Sequence, residues 1–133
     1  MVLVLLPVDG EYPGMNELFG WFRRSPPPPD WIAPADLAAR LPGDAGPLIL
    51  DVRGPDEFDG PLGHIIGAIN LPLNELPARL TELVHQSRPM VVVCKTDRRS
   101  SMAAQQLRKA GISNVTVLRG GMEGWRAESL PVC

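Results

Sequence analysis

The sequence predicts an α/β domain with a mainly parallel central sheet and helices on both faces. Two observations predict it. Three short apolar runs, Leu48–Val52, Met90–Val93 and Val115–Leu118, read as buried strands. The segments between them place apolar residues at helical spacing or carry helix punctuation. Strands that alternate with helices form parallel sheets covered on both sides.

Each element has its own signal. Pro34 to Leu41 reads as a short helix, with proline in its first turn. Leu48 to Val52 is the first buried strand, and residues 53–72 are irregular and rich in Gly and Pro. Leu76, Leu80, Leu83 and Val84 share one helix face. Met90 to Val93 is a second strand that ends at Cys94. Ser100 to Ala110 reads as a helix, with Ala103, Leu107 and Ala110 on one face and Gly111 as its stop. Val115 to Leu118 is the third strand, and Met122 to Ala127 forms a last helical turn or two. The sequence shows no internal repeat.

Residues 1–29 read differently, as an N-terminal extension. Val2 to Leu6 has the character of a short strand. Leu18, Phe19, Trp21 and Phe22 cluster ahead of Arg23 and Arg24 and are expected to pack on their own domain. Pro26–Pro29 favours polyproline II and makes a stiff spacer. The main domain is therefore expected to span 30–133. A chain of 133 residues suits one domain. It can bury roughly two thirds of the surface it exposes when unfolded, so its core needs no metal or disulfide staple.

The bulk composition narrows the function classes. The chain is 44% hydrophobic and 21% charged, as in ordinary soluble proteins. Its net charge is −2, from 13 basic and 15 acidic residues, which argues against general nucleic-acid binding. Cys94 and Cys133, the two cysteines, form no disulfide framework and no zinc pattern. Free thiols fit a reducing, cytoplasmic setting, with no metal or organic cofactor expected. The start MVLVLLPVDG lacks a basic region and a cleavage site, so no signal peptide is expected. No run approaches the ~18 apolar residues of a spanning helix.

The candidate site lies where the second strand gives way to a helix. Function in open α/β sheets gathers at the carboxyl ends of strands, and Cys94 sits at such an end. The segment Lys95-Thr96-Asp97-Arg98-Arg99-Ser100 has to turn tightly into the helix. Its backbone N–H groups and the helix N-terminus then converge on one point and cradle negative charge. A sulfur placed there is favoured as its thiolate. Lys95, Arg98 and Arg99 add positive charge, and Asp97 opposes them. A lone Cys finishing an apolar strand is usually a small core residue, but a core residue has no need of a cationic turn beside it. Ser100 either caps the following helix or donates to the sulfur, and both readings stay open.

Four segments, in order, carry a resemblance to the rhodanese superfamily between about Trp31 and Pro131. They are LILDVR at 48–53 with Glu57-Phe58 after it, GHIIGAINLP at 63–72, Cys94 through Ser100, and LRGGMEGW at 118–125. The third resembles the family's active-site loop, usually written CxxGxRS. The resemblance implies a sulfurtransferase in which Cys94 takes a sulfane sulfur from a small anionic donor such as thiosulfate. A thiol or cyanide then accepts it, and a sulfur-relay protein is a possible partner. Four residues separate Cys94 from Arg99. The related protein-tyrosine and cell-cycle phosphatases have five, which argues against the second reading, a phosphatase or arsenate reductase using the same Cys; a non-catalytic partner-binding module is the third.

The resemblance also assigns supporting roles. Arg53, beside Asp51 at a strand end, is expected to pair with Glu57 and brace the loops. His64 is expected to hold a loop by a hydrogen bond rather than act as a base, and Trp125 to sit in the core or at the rim of the cradle. His85 is expected to be solvated and Cys133 a bystander. Asp97 stands where the family usually has Gly, which implies a backbone with positive φ and a site less suited to thiosulfate.

Overall fold

The computed structural model describes residues 30–41 and 45–133, so the features expected within 1–29 lie outside the described residues. Five strands form one sheet: β1 (Trp31–Ile32), β2 (Leu48–Asp51), β3 (Ile69–Asn70), β4 (Met90–Val93) and β5 (Val115–Leu118). Their order is β1-β5-β4-β2-β3, and every pairing is parallel. The helices are α1 (Pro34–Arg40), α2 (Pro55–Phe58), α3 (Leu76–Leu83), α4 (Arg98–Lys109) and α5 (Gly121–Ala127). A short 3₁₀ turn, Leu73–Glu75, leads into α3.

Alternation along the strands builds two cores, because successive side chains point to opposite faces. Leu48, Leu50, Met90, Val92, Val115 and Val117 face one way and pack on Leu76 of α3 and Ala103, Ala104 and Leu107 of α4. Ile49, Val91, Val93 and Leu118 face the other way, against Leu37 of α1 and Met122 and Trp125 of α5. The three longer strands are apolar at nearly every position because both faces are covered.

Three boundaries differ from the expectations. Helix α4 starts at Arg98, two residues before Ser100. The stretch 53–72 is not wholly irregular, since it holds α2 and β3. Strand β1 adds an edge to β5 through Trp31 and Ile32, and Val117 N–H donates to the Asp30 carbonyl at 2.8 Å. Among the described residues no helix is long and apolar enough to cross a membrane.

The topology fixes where a site can form. From β2 the chain moves outward to β3, returns to β4 on the other side of β2, and continues to β5. The direction of winding therefore reverses between β2 and β4, and a crevice opens there above the carboxyl ends. Asp51 of β2 lies in register with Val93 of β4, so Cys94 emerges beside that reversal.

Candidate functional site around Cys94

Cys94 is only 1% exposed and follows directly on β4. Its sulfur faces the start of α4. The Ser100 N–H donates to Sγ at 3.4 Å, and Ser100 Oγ lies 3.3 Å from it. Ser100 is the third residue of α4, so it serves the sulfur and is not the cap. The position before the helix belongs to Asp97, whose side chain makes no capping bond. The Asp97 main-chain oxygen instead accepts from Ser101 N–H at 3.0 Å and from Ser101 Oγ at 2.6 Å.

The positive φ expected at Asp97 is absent. Its φ is −148° with ψ near 3°, a conformation that places no demand for glycine. Left-handed positions packed against this loop are instead Gly120 and Gly121, with φ of 76° and 58°. Gly121 is required for space as well as conformation. A β-carbon there would fall 2.6 Å from the Lys95 carbonyl oxygen and would also strike those of Cys94 and Thr96. Met122 N–H donates to the Cys94 carbonyl at 2.9 Å and Glu123 N–H to that of Lys95 at 3.0 Å. The otherwise unpaired N–H groups of the first turn of α5 thus take the carbonyls of the loop. In a trans peptide the N–H points opposite to the C=O. The N–H groups of Lys95 and Thr96 are therefore turned away from α5.

Two arginine–carboxylate pairs support this loop, and one corrects the expectation for Arg53. Its partner is Asp51, with Nε to Oδ1 at 2.9 Å and Nη2 to Oδ2 at 2.7 Å. Both side chains are about 1% exposed. Arg53 still braces the loops, by donating to the carbonyls of Gly63 at 2.7 Å and Glu57 at 3.1 Å. The Glu57 carboxylate is taken by Arg99 in a bidentate pair at 2.6 and 2.9 Å. That bond, joined by a bond from the Gly54 N–H, outweighs burial and lowers the Glu57 pKa to about 2. The same pairing with Glu57 raises the pKa of Arg99. Glu57, expected only as the partner of Arg53, is tied instead to Arg99 at the start of α4.

The remaining candidates separate clearly. Lys95 is exposed and its Nζ lies 3.7 Å from Glu123 on α5. Thr96 is exposed on the loop and Arg98 at the first position of α4. His64 lies 2.9 Å by its Nδ1 from the Phe58 carbonyl, which can only accept, so Nδ1 carries the proton. Its ring stacks on Phe58 at 3.7 Å. Trp125 is fully buried and its indole N–H donates to the Pro131 carbonyl at 2.9 Å, a core position. His85 and Cys133 are exposed. A cavity of ≈390 Å³ is lined by Arg53, Glu57, Pro61, Leu62, Lys95 and Glu123.

Comparison with known proteins shows the family and the fold. Residues 33–128 match the family model described as Rhodanese-like domain. The chain is 43% identical over 77 residues to the uncharacterized protein YqhL of Bacillus subtilis, covering 58% of this chain and 59% of that protein. It is 33% identical over 96 residues to a sulfurtransferase of Allochromatium vinosum, covering 72% of this chain and 87% of that protein. A rhodanese-related protein from Thermoplasma volcanium superposes with a TM-score of 0.66 at 31% identity, covering 77% of this chain and 95% of that one. The chain spans 54% to 66% of the length of YqhL and two further curated relatives. With the matching model spanning α1 through α5 and the fold shared with solved relatives, this chain belongs to the rhodanese-like domain family.

Proposed function

We propose that the protein is a sulfurtransferase that carries a sulfane sulfur on Cys94 as a persulfide. The observation that carries this reading is the Cys94 sulfur at the end of β4 with the Ser100 N–H and hydroxyl directed at it. In the first step the Cys94 thiolate attacks the outer sulfur of a donor. With thiosulfate as the assay donor, the new S–S bond forms as the donor's own S–S bond breaks and sulfite leaves with the electron pair. In the second step an acceptor, cyanide in an assay or a thiol, attacks the outer sulfur and the Cys94 thiolate leaves. Loop N–H groups, together with Ser100, stabilise sulfur-borne negative charge in both displacements. A sulfur-relay protein is the partner class that suits such a carrier. The two thiols suit a reducing, cytoplasmic setting.

The loop length favours a sulfur cargo over a phosphoryl group. Four residues between Cys94 and Arg99 make a small ring of donors. A phosphoryl group brings three peripheral oxygens that each need room. The test is intact mass after incubation with a sulfane donor. The Cys94 peptide should gain one sulfur atom, and cyanide or a thiol should remove it. Cys94→Ser should abolish the gain and Cys133→Ser should leave it unchanged. Efficient hydrolysis of an aryl phosphate with no sulfur gain would replace this reading with the phosphatase one.

A further inference from the structure

We infer that Arg126 is a positioning residue: it ties the Pro61–Leu62 turn to α5, and so fixes the width of the mouth over Cys94 and the bulk of the reagent that reaches the sulfur. The inference rests on the Cys94 persulfide reading and concerns access to that sulfur. Two walls bound the cavity beside the loop. Glu57, Pro61 and Leu62 belong to the segment between β2 and β3, and Lys95 and Glu123 to the loop after β4 and to α5. Cys94 is 1% exposed and directly precedes Lys95, and its reagents come in between these walls. Arg126 bridges them. It stands one turn after Glu123, on the same side of α5. Its Nη1 donates across to the carbonyls of Pro61 and Leu62, both at 3.1 Å.

The turn is anchored at its ends and tethered at its tip. Gly63 N–H donates to the Gly60 carbonyl at 2.9 Å and closes the turn. Buried Arg53 holds the Gly63 carbonyl at 2.7 Å. A β-carbon on Gly60 would fall 2.7 Å from the Asp56 carbonyl oxygen, and one on Gly63 would fall 2.6 Å from that of Cys133. Backbone therefore packs tightly against both ends. Between them Pro61 is exposed, and Leu62 is half-buried against the second core. Among the described residues, Arg126 is the donor to both tip carbonyls. Its guanidinium is rigid and permanently charged, so the tether holds at any pH where the thiolate reacts. Water would meet the carbonyls if the tether were lost, so its removal frees the tip without unfolding the domain. A turn held by its ends alone can tilt, and the mouth then widens. The thiol class admitted by the fixed mouth is one on an unbranched arm, with its bulk kept outside.

The experiment alkylates Cys94 in the full chain with two neutral reagents that share one reacting group, iodoacetamide and its N-pyrenyl derivative. Each rate is read by mass on the Cys94 peptide, which keeps Cys133 out of the count. Arg126→Gln should lower the ratio of the small-reagent rate to the large-reagent rate by about fivefold, the scale of the hydrogen bonding removed. The small-reagent rate and its pH profile should stay as in the wild type, because the sulfur keeps its own donors. Arg126→Lys should restore part of the ratio, since its ammonium keeps a donor on the same side. Transfer from loaded Cys94 should follow the same pattern, unchanged to a primary alkyl thiol and faster to a tertiary one. A ratio unmoved by Arg126→Gln, or both rates changed alike with a shifted pH profile, would overturn the inference and leave the persulfide reading standing. Failure of Cys94 to gain a sulfur from any sulfane donor would instead overturn the persulfide reading itself.

Discussion

Two arginine–carboxylate pairs stand within a few residues of each other and differ chiefly in depth. Arg53–Asp51 is sealed under the loops, with both side chains about 1% exposed. Arg99–Glu57 lies at the mouth, with 35% and 38% of the side chains exposed. The buried pair has no water to fall back on, so each partner depends wholly on the other and on the carbonyls of Gly63 and Glu57. The outer pair exchanges with solvent and contributes mainly geometry, by tying α2 to the start of α4. Depth therefore divides one chemistry into two tasks. The inner pair holds the loops beneath the site, and the outer pair ties two helices at its edge.

The largest effect should come from breaking the inner pair. Asp51→Ala leaves the Arg53 guanidinium buried without a counter-charge, which costs about 3–5 kcal/mol. Denaturant unfolding should show the loss as a lowered midpoint. A loss below about 1 kcal/mol would mean that the carbonyls of Gly63 and Glu57 alone satisfy Arg53.

Breaking the outer pair should cost less, about 0.2–1 kcal/mol, because solvent replaces much of what is lost. Its signature is pH dependence. The folded-state pKa of Glu57 lies below its ordinary value of 4.5, at about 2. A depressed carboxylate contributes stability that is fully present above the unfolded value and is lost as pH falls through the folded one. The stability gap between the wild type and Glu57→Gln should therefore hold above pH 4.5 and close as pH approaches about 2. A gap that persists to the lowest pH would assign the effect to packing.

The smallest effect should come from Asp97, a carboxylate that makes no capping bond to α4. Asp97→Gly should change stability by only a few tenths of a kcal/mol, since glycine is tolerated at that position. Loading from thiosulfate should rise modestly through removal of one negative charge, with no contribution from relief of strain. A fall with every donor would give Asp97 a positive role.

The parts of the molecule legible in sequence are those where a local pattern and the tertiary environment agree. Val91, Val92 and Val93 read as a covered strand because both sheet faces are in fact covered. Helix α4 was legible through Ala103 and Leu107, and its stop through Gly111. Strands β1 and β3 were not, because two residues hold no period and their pairing partners lie far along the chain. Cys94 and its loop could be singled out because charge and a strand end coincide. The partner of Arg53 could not. Asp51 and Glu57 both lie within reach along the chain, and only the fold shows that Glu57 turns to Arg99, 42 residues away. The Gly120-Gly121 doublet was visible in the sequence, but what Gly121 makes room for, the carbonyls of Cys94, Lys95 and Thr96, lies on the loop after the neighbouring strand.

The depth of Cys94 also bears on how long the carrier survives between cycles. A thiol that is 1% exposed offers peroxides, alkylating agents and stray disulfides almost no surface. In the proposed cycle the loaded form extends about 2 Å further, by the length of one S–S bond. An acceptor then meets the cargo before it meets the protein that bears it. In the proposed cycle the empty carrier offers bulk reagents little surface while the full one presents its outer sulfur, so recessing one atom by a single bond length distinguishes a carrier with cargo from one without.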